Sequence, residues 1–379
     1  MPRRLYTYIY KLSLLFTTAT VLTACTDDNG EPRQHQVTLM LGRHTFTPTR
    51  ALPEGFVPYS ELFPQVAPIH AHIQGFIVPQ VSSDYISGDF AYQLNTSDDT
   101  YQWTSRLPIE EGTYYVYGFM PKGDAQSASI VARNGNFSNG AVLTINNLQA
   151  VTASDPCVVV GVKSAADRST TLATSGIQLG EFSFTTTDEN TNDYLFLLID
   201  HLYAGLHFKM KVDPTYNELR TIKLKKLLLT ASNGSQTVNT VNVSVTLAST
   251  SGGQNPLSTQ AGGSVSIVSS QISSSGTPVT IWDCADENDE ALTLTPTAHS
   301  FLGCFAPATN RCYILESHYD VYDRKGNLIR ANQTAQNVIT IPSTMERGQT
   351  FTCTINVSPT YLYMLSEPDL DTPTFTMTQ

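Results

Sequence analysis

Charge is scarce in this chain of 379 residues: Asp, Glu, Lys and Arg make up 15% of it, against about 25% in an ordinary globular protein. What charge there is leans acidic, with 33 Asp and Glu against 22 Lys and Arg and a formal net charge of −11. A protein that grips phosphate backbones needs the opposite sign, so nucleic acid is set aside as a partner. Tryptophan occurs twice and cysteine six times, and no two cysteines have the C-x-x-C spacing of a zinc site. There is no G-x-S-x-G elbow, no P-loop and no H-E-x-x-H helix. Glu110 and Glu111 are neighbours and diverge on a strand, so they do not make a paired-carboxylate site. The reading is therefore not an enzyme, with no catalytic residue, no cofactor and no metal assigned. No stretch anywhere reaches the ~18 apolar residues of a membrane-spanning helix.

What is abundant is β-forming material. Hydrophobic residues make up 41% of the chain, enough for real cores. Ser, Thr and Asn carry the polar surface, Thr suiting strands and Ser and Asn suiting turns. Short alternating runs recur, broken by turn residues. Residues 37–41 alternate, 113–119 are aromatic and β-prone, and 206–212 put Lys209 and Lys211 on one face and Leu206, Phe208 and Met210 on the other. A hairpin turn is expected at Arg324, Lys325, Gly326 and Asn327. Only residues 60–63 and 165–168 could make helical turns. Many short strands with turns between them predict an all-β chain of sandwiches rather than βαβ units. At roughly 150 residues per domain, the length suggests two domains or three, and the break is placed near Asp200 and His201. Residues 249–264, rich in Gly, Ser and Gln, read as a long mobile loop.

The first 25 residues read as an address. Arg3, Arg4 and Lys11 precede an apolar stretch over 12–22, which ends at Leu22, Thr23, Ala24 and Cys25. Small residues before a cysteine in this setting look like a bacterial lipobox, in which the thiol receives a diacylglycerol and the chain is cut just before it. Residues 1–24 are then a lipoprotein signal peptide, Cys25 the lipidation site, and 25–35 a polar tether. Each buried methylene of a lipid contributes about 0.8 kcal/mol, so such an anchor can hold a domain at a membrane. Five cysteines remain in an exported chain that permits disulfides. Cys157 reads as a small core residue, and a hairpin bridge between Cys304 and Cys312 stays open.

Several stretches together resemble the fimbrillin family, the pilus subunits of Bacteroidales-type bacteria. They are the lipobox at Cys25, the strand 37–41 with the arginine segment ending Thr49, Arg50 and Ala51, the run 201–208, and the late run 347–371. The resemblance implies two tandem transthyretin-like β-sandwich domains, here 36–200 and 201–379, with 36–50 a removable first strand. It implies export as an outer membrane lipoprotein to the cell surface and fimbrium, then cleavage by an arginine-specific protease. Release of the first strand lets another subunit's strand take its place. The maturation site falls at Arg50 and Ala51. Arg43 would leave Phe46 behind, and Arg33 would release lipid without opening a groove. Val37, Leu39 and Leu41 face one side of the removable strand. Phe375 and Met377 mark a candidate donor strand, which could also include 361–365; the alternative is a last edge strand paired within its own domain.

The implied partners are other fimbrial subunits, head to tail, and membrane lipid before maturation. A host or bacterial surface receptor is a further candidate. The alternative function is a surface lipoprotein adhesin, or a pilus tip subunit binding a glycan or partner cell. Other groups carry weaker signals. His70 and His72 share a strand face but have no third ligand, and the acidic residues 283–290 lack the EF-hand spacing. Tyr114, Tyr115, Tyr117 and Phe119 read as core with one tyrosine-rich outer face rather than a sugar-binding platform.

Overall fold

The computed structural model divides the chain into two compact units, Met1–Arg33 and Gln34–Gln379. The described residues all lie in the second: 35–44, 56–58, 72–95, 100–107, 110–165, 169–170, 174–186, 192–232, 236–251, 253–273, 276–286, 290–307, 312–341, 345–358 and 369–378. The signal peptide, Cys25, Arg33, Arg50, Ala51, His70 and residues 361–365 fall outside them.

Up to residue 201 the strands are β1 (His35–His44), β2 (Phe56–Pro58), β3 (His72–Pro79), β4 (Ile86–Asn95), β5 (Thr100–Leu107), β6 (Gly112–Met120), β7 (Ser127–Ala132), β8 (Gly140–Gln149), β9 (Val151–Thr152), β10 (Cys157–Ala165), β11 (Ser183–Thr186) and β12 (Asn192–His201). Then come β13 (Ala204–Val212), β14 (Arg220–Ser232), β15 (Thr237–Ala248), β16 (Ser264–Ser273), β17 (Val279–Asp283), β18 (Leu292–Thr293), β19 (His299–Phe305), β20 (Cys312–Asp323), β21 (Leu328–Thr340), β22 (Thr350–Ser358) and β23 (Asp369–Thr378). The single α-helix among the described residues, α1 (Pro214–Asn217), is one turn, capped by the Asp213 carboxylate. The all-β expectation is met.

The strands form three sheets. The first runs β10-β12-β1-β5-β4-β3-β6-β11, with β2 on β1. Cys157 and Val158 of β10 also pair with Met120 and Phe119 of β6, so the path of pairings returns towards its start. Its interior holds Leu39, Leu41, Phe76, Phe90, Tyr117 and Leu197, all buried. Tyr114 and Phe119 are buried as well and Tyr115 partly so, which makes the aromatic run core. Burial holds the Tyr117 phenol well above its ordinary pKa, and its hydroxyl donates to the Phe137 carbonyl.

The other two sheets face each other. One runs β21-β20-β14-β15-β8-β7, with β16 on β15 and β17 and β18 on β14; the other runs β23-β22-β13-β19-β9. Rings interlock across the gap: Phe305 of β19 lies 4.7 Å from Tyr313 of β20, and Trp282 of β17 lies 5.4 Å from Phe301 of β19. Strand β13 has the expected alternation, with Leu206, Phe208, Met210 and Val212 buried and both lysines half-exposed.

Two sheets take strands from both sides of residue 200. β8 pairs with β15, and β9 pairs with β19. Gly140 makes the first of these contacts possible: its φ is +111°, and a Cβ there would sit 1.9 Å from the Leu247 carbonyl oxygen. We keep 36–200 and 201–379 as the proposed division, with β8 and β9 paired across it.

Two local readings are corrected. The Cys304–Cys312 bridge is not formed. Cys304 is on β19 and Cys312 opens β20, which belong to different sheets, so the link between them is a crossover and not a hairpin. The 249–264 stretch is pinned in its described part. Asn255 and Leu257 are buried, Ala248 donates its N–H to the Pro256 carbonyl, and the Asn255 side chain donates to Asp200. The expected turn at 324–327 is present: the Asp323 carboxylate accepts from the Lys325 and Asn327 amides, and Gly326 takes φ +81°.

Candidate functional site: the place of the first strand

Strand β1 is an interior strand. On one side it runs parallel to β12 over eight residue pairs, from Gln36↔Asn192 to Arg43↔Ile199. On the other it runs antiparallel to β5, from His35↔Leu107 to Leu39↔Trp103. Its far end is covered by β2, through Gly42↔Pro58, Arg43↔Val57 and His44↔Phe56. Leu39 and Leu41 are 3% and 6% exposed, as period-two alternation on the expected face requires. Burying two such side chains is worth about 1.5–3 kcal/mol each.

The neighbours of β1 have other support. β12 keeps β10, and β5 keeps β4. Taking β1 away would leave one strand-wide opening, bordered by the unpaired edges of β12 and β5 and floored by the pocket that Leu39 and Leu41 fill. Arg50 falls in 45–55, the link from β1 to β2. A cut there parts the two strands covalently, and with β1 gone β2 would lose the one pairing partner it has among the described residues.

The chain's last strand is different. β23 lies at the end of its sheet and, among the described residues, pairs only with β22, which brings Phe375 opposite Ile355 and Met377 opposite Cys353. The candidate donor strand is thus an edge strand of its own sheet here. Burial pushes the Cys353 thiol of β22 up to about 11, so it stays protonated and inert.

Two of the stretches that carry the resemblance meet. The Arg347 guanidinium donates to the Asp200 carboxylate at 2.9 Å and to the His201 carbonyl at 3.1 Å. The Gly348 amide donates to the Tyr203 carbonyl, and the Gly205 amide to the Gln349 carbonyl. Asp200 is 4% exposed at its side chain, so a charge-assisted bond holds it. This joint ties the end of β12 and the start of β13 to the residues leading into β22.

Of the weaker candidates, His72 opens β3 with Nδ1 3.5 Å from Asp89, and Asp283 pairs with Lys226 at 2.9 Å. Neither joins the place of β1.

An all-β protein with an interior first strand that is attached through an arginine-bearing link is the class that fold and site define. No family model matches the chain, and no curated protein matches it. Among solved structures it is similar to a candidate cell adhesion protein from Bacteroides fragilis, at 11% identity over 91% of this chain and 97% of that one, TM-score 0.43. It is also similar to a fimbrial protein from Bacteroides vulgatus, at 11% identity over 91% and 99%, TM-score 0.35. The fimbrial anchor protein Mfa2 from Porphyromonas gingivalis is similar at 8% identity over 91% and 97%, TM-score 0.30.

Proposed function

We propose that the chain is the precursor of a pilus subunit, carried to the outer membrane on a lipid at Cys25 and matured by an arginine-specific protease between Arg50 and Ala51. It assembles by strand exchange and performs no turnover chemistry. The observation that carries this reading is the interior position of β1, paired on both sides with buried Leu39 and Leu41. An edge strand could be lost with little consequence. An interior strand leaves two exposed ladders and an apolar groove, and an incoming strand restores every backbone bond at once. The contact is heterologous and does not close on itself, so it builds a fibre.

The incoming strand would run parallel to β12, as β1 does. It needs apolar residues two apart where Leu39 and Leu41 were. Phe375 and Met377 of β23 have that spacing, and β23 has a single partner to leave. The product supports cell adhesion as part of a fimbrium at the cell surface.

The test is the N-terminal residue of protein recovered from sheared surface filaments, together with the Arg50→Ala variant. Ala51 at the N-terminus, and no filaments from the variant, are expected. Lipidated Cys25 persisting in filament-borne protein would overturn the reading.

A further inference from the structure

The sequence assigns no metal, yet three buried side chains of metal-binding type converge at the joint below β12. Cys157 opens β10 and His201 closes β12, and the two are direct cross-strand partners. Such partners hold their Cβ atoms about 4.5–5.5 Å apart. Asp155 precedes Cys157 by two residues and reaches the same point. Asp155 Oδ2 lies 2.9 Å from His201 Nδ1 and 3.3 Å from Cys157 Sγ, and Sγ lies 3.9 Å from Nδ1. Asp155 is 3% exposed and the other two are 0%.

We propose that Asp155, Cys157 and His201 form a structural zinc site. Three atoms at those separations have a common point about 2.0 Å from each, at zinc's distance to imidazole and carboxylate, and a shift of about 0.3 Å in the Cys157 side chain brings Sγ to the longer thiolate distance. The donor set selects the same ion: a soft thiolate with an imidazole suits zinc, where calcium and magnesium want oxygen. Charge balances too. Zinc displaces the Cys157 thiol proton to solvent, and the thiolate and the Asp155 carboxylate offset its two positive charges while His201 binds neutral. The side chains supply three ligands, and a small adjustment that lifts the ion out of their plane would let a backbone oxygen or a water complete the tetrahedral set.

The surroundings hold the imidazole carrier in place. The backbone N–H of His201 donates to Asp200, and its carbonyl accepts from Arg347. Both neighbours belong to the joint that links β12 to the segment before β22. A metal there would tie β10 to β12 at the point where the first sheet hands over to β13. Uptake would accompany folding, since the finished site is closed to solvent.

The test uses the uncleaved chain with β1 in place, produced with zinc and dialysed, with metal counted by mass spectrometry and cobalt substitution read by absorption. About one zinc per chain is expected, with a thiolate-to-cobalt charge-transfer band, and a thermal midpoint that falls on chelation. Cys157→Ala should fold, lose the band and bind at least tenfold less zinc, with a midpoint indifferent to chelator. His201→Gln should lose zinc likewise. Should either variant fail to fold, the wild-type stoichiometry and cobalt band decide alone. A metal-free wild-type chain, or zinc retained equally by a folded Cys157→Ala, overturns the proposal and leaves a plain hydrogen-bonded cluster.

Discussion

Strands β1 and β13 occupy matching places. Each opens its half of the chain, and each runs parallel to a late strand over eight residue pairs, β12 for the one and β22 for the other. Each is flanked on its other side by an antiparallel strand, β5 or β19. What differs is attachment. β13 is bound into the chain at both ends, by Leu202 and Tyr203 before it and by α1 just after. β1 is followed by the arginine-bearing link 45–55. The same hydrogen-bonding position is permanent in one half and, on the proposed function, temporary in the other. On that proposal, removability is a property of the connection and not of the pairing.

Excision gives the largest expected effect. Cutting after Arg50 and releasing β1 should abolish amide-exchange protection at the β12 and β5 amides that face β1, while β13 and β22 keep theirs. A peptide spanning 35–44 added in excess should restore it. Equal loss in β13 would mean that the halves fold as one unit, and the comparison fails.

Cavity substitutions come next. Leu39→Ala should cost about 2–5 kcal/mol and Phe208→Ala about 3–5 kcal/mol in chemical denaturation. The comparison sharpens if Leu39→Ala loosens only the first sheet and speeds release of β1 after cleavage. Deleting 369–379 should do less, lowering protection on β22 alone, because β23 has one partner. Protection lost throughout β13 would show that β23 is no mere edge.

Acid gives the smallest and most local effect. Burial works to raise Asp320, but Lys225 at 2.7 Å and the Asn332 amide outweigh it and hold the carboxyl below its ordinary 3.8. Glu316 is held below its ordinary 4.5 by Gln336 and His318. A carboxyl whose pKa is depressed by folding stabilises above its unfolded pKa and loses that contribution as pH falls through the folded value. Thermal midpoints should therefore decline below about pH 4, the ordinary carboxylate range, and Asp320→Asn should flatten part of that decline. Both groups lie on β20, so exchange in β12 should be unaffected by the substitution.

Much of the fold was visible in residue order. The run 206–212 alternates cleanly and is β13; the Asp323 to Asn327 turn has the chemistry its geometry needs; the 113–119 aromatics are core. These depend on neighbours in the chain. The misreadings share one cause. Residues 249–264 looked mobile by composition, yet a single Asn255 reaching Asp200 helps pin them. Cys304 and Cys312 looked like hairpin partners, yet their strands join separate sheets. Cys157 is the core residue its sequence suggests, but its place opposite His201 was not legible, because 44 positions separate two residues that register makes partners.

Residue order by itself determined that this chain is all β, where its main turns fall, and that strand 37–41 buries Leu39 and Leu41, since a two-residue period is written locally. Only the tertiary structure decided that β1 lies between β12 and β5, that β8 crosses to β15, and that Asp155, Cys157 and His201 meet. Strand partners are chosen by competition among distant edges that all offer the same backbone groups, and no local pattern records which edge wins.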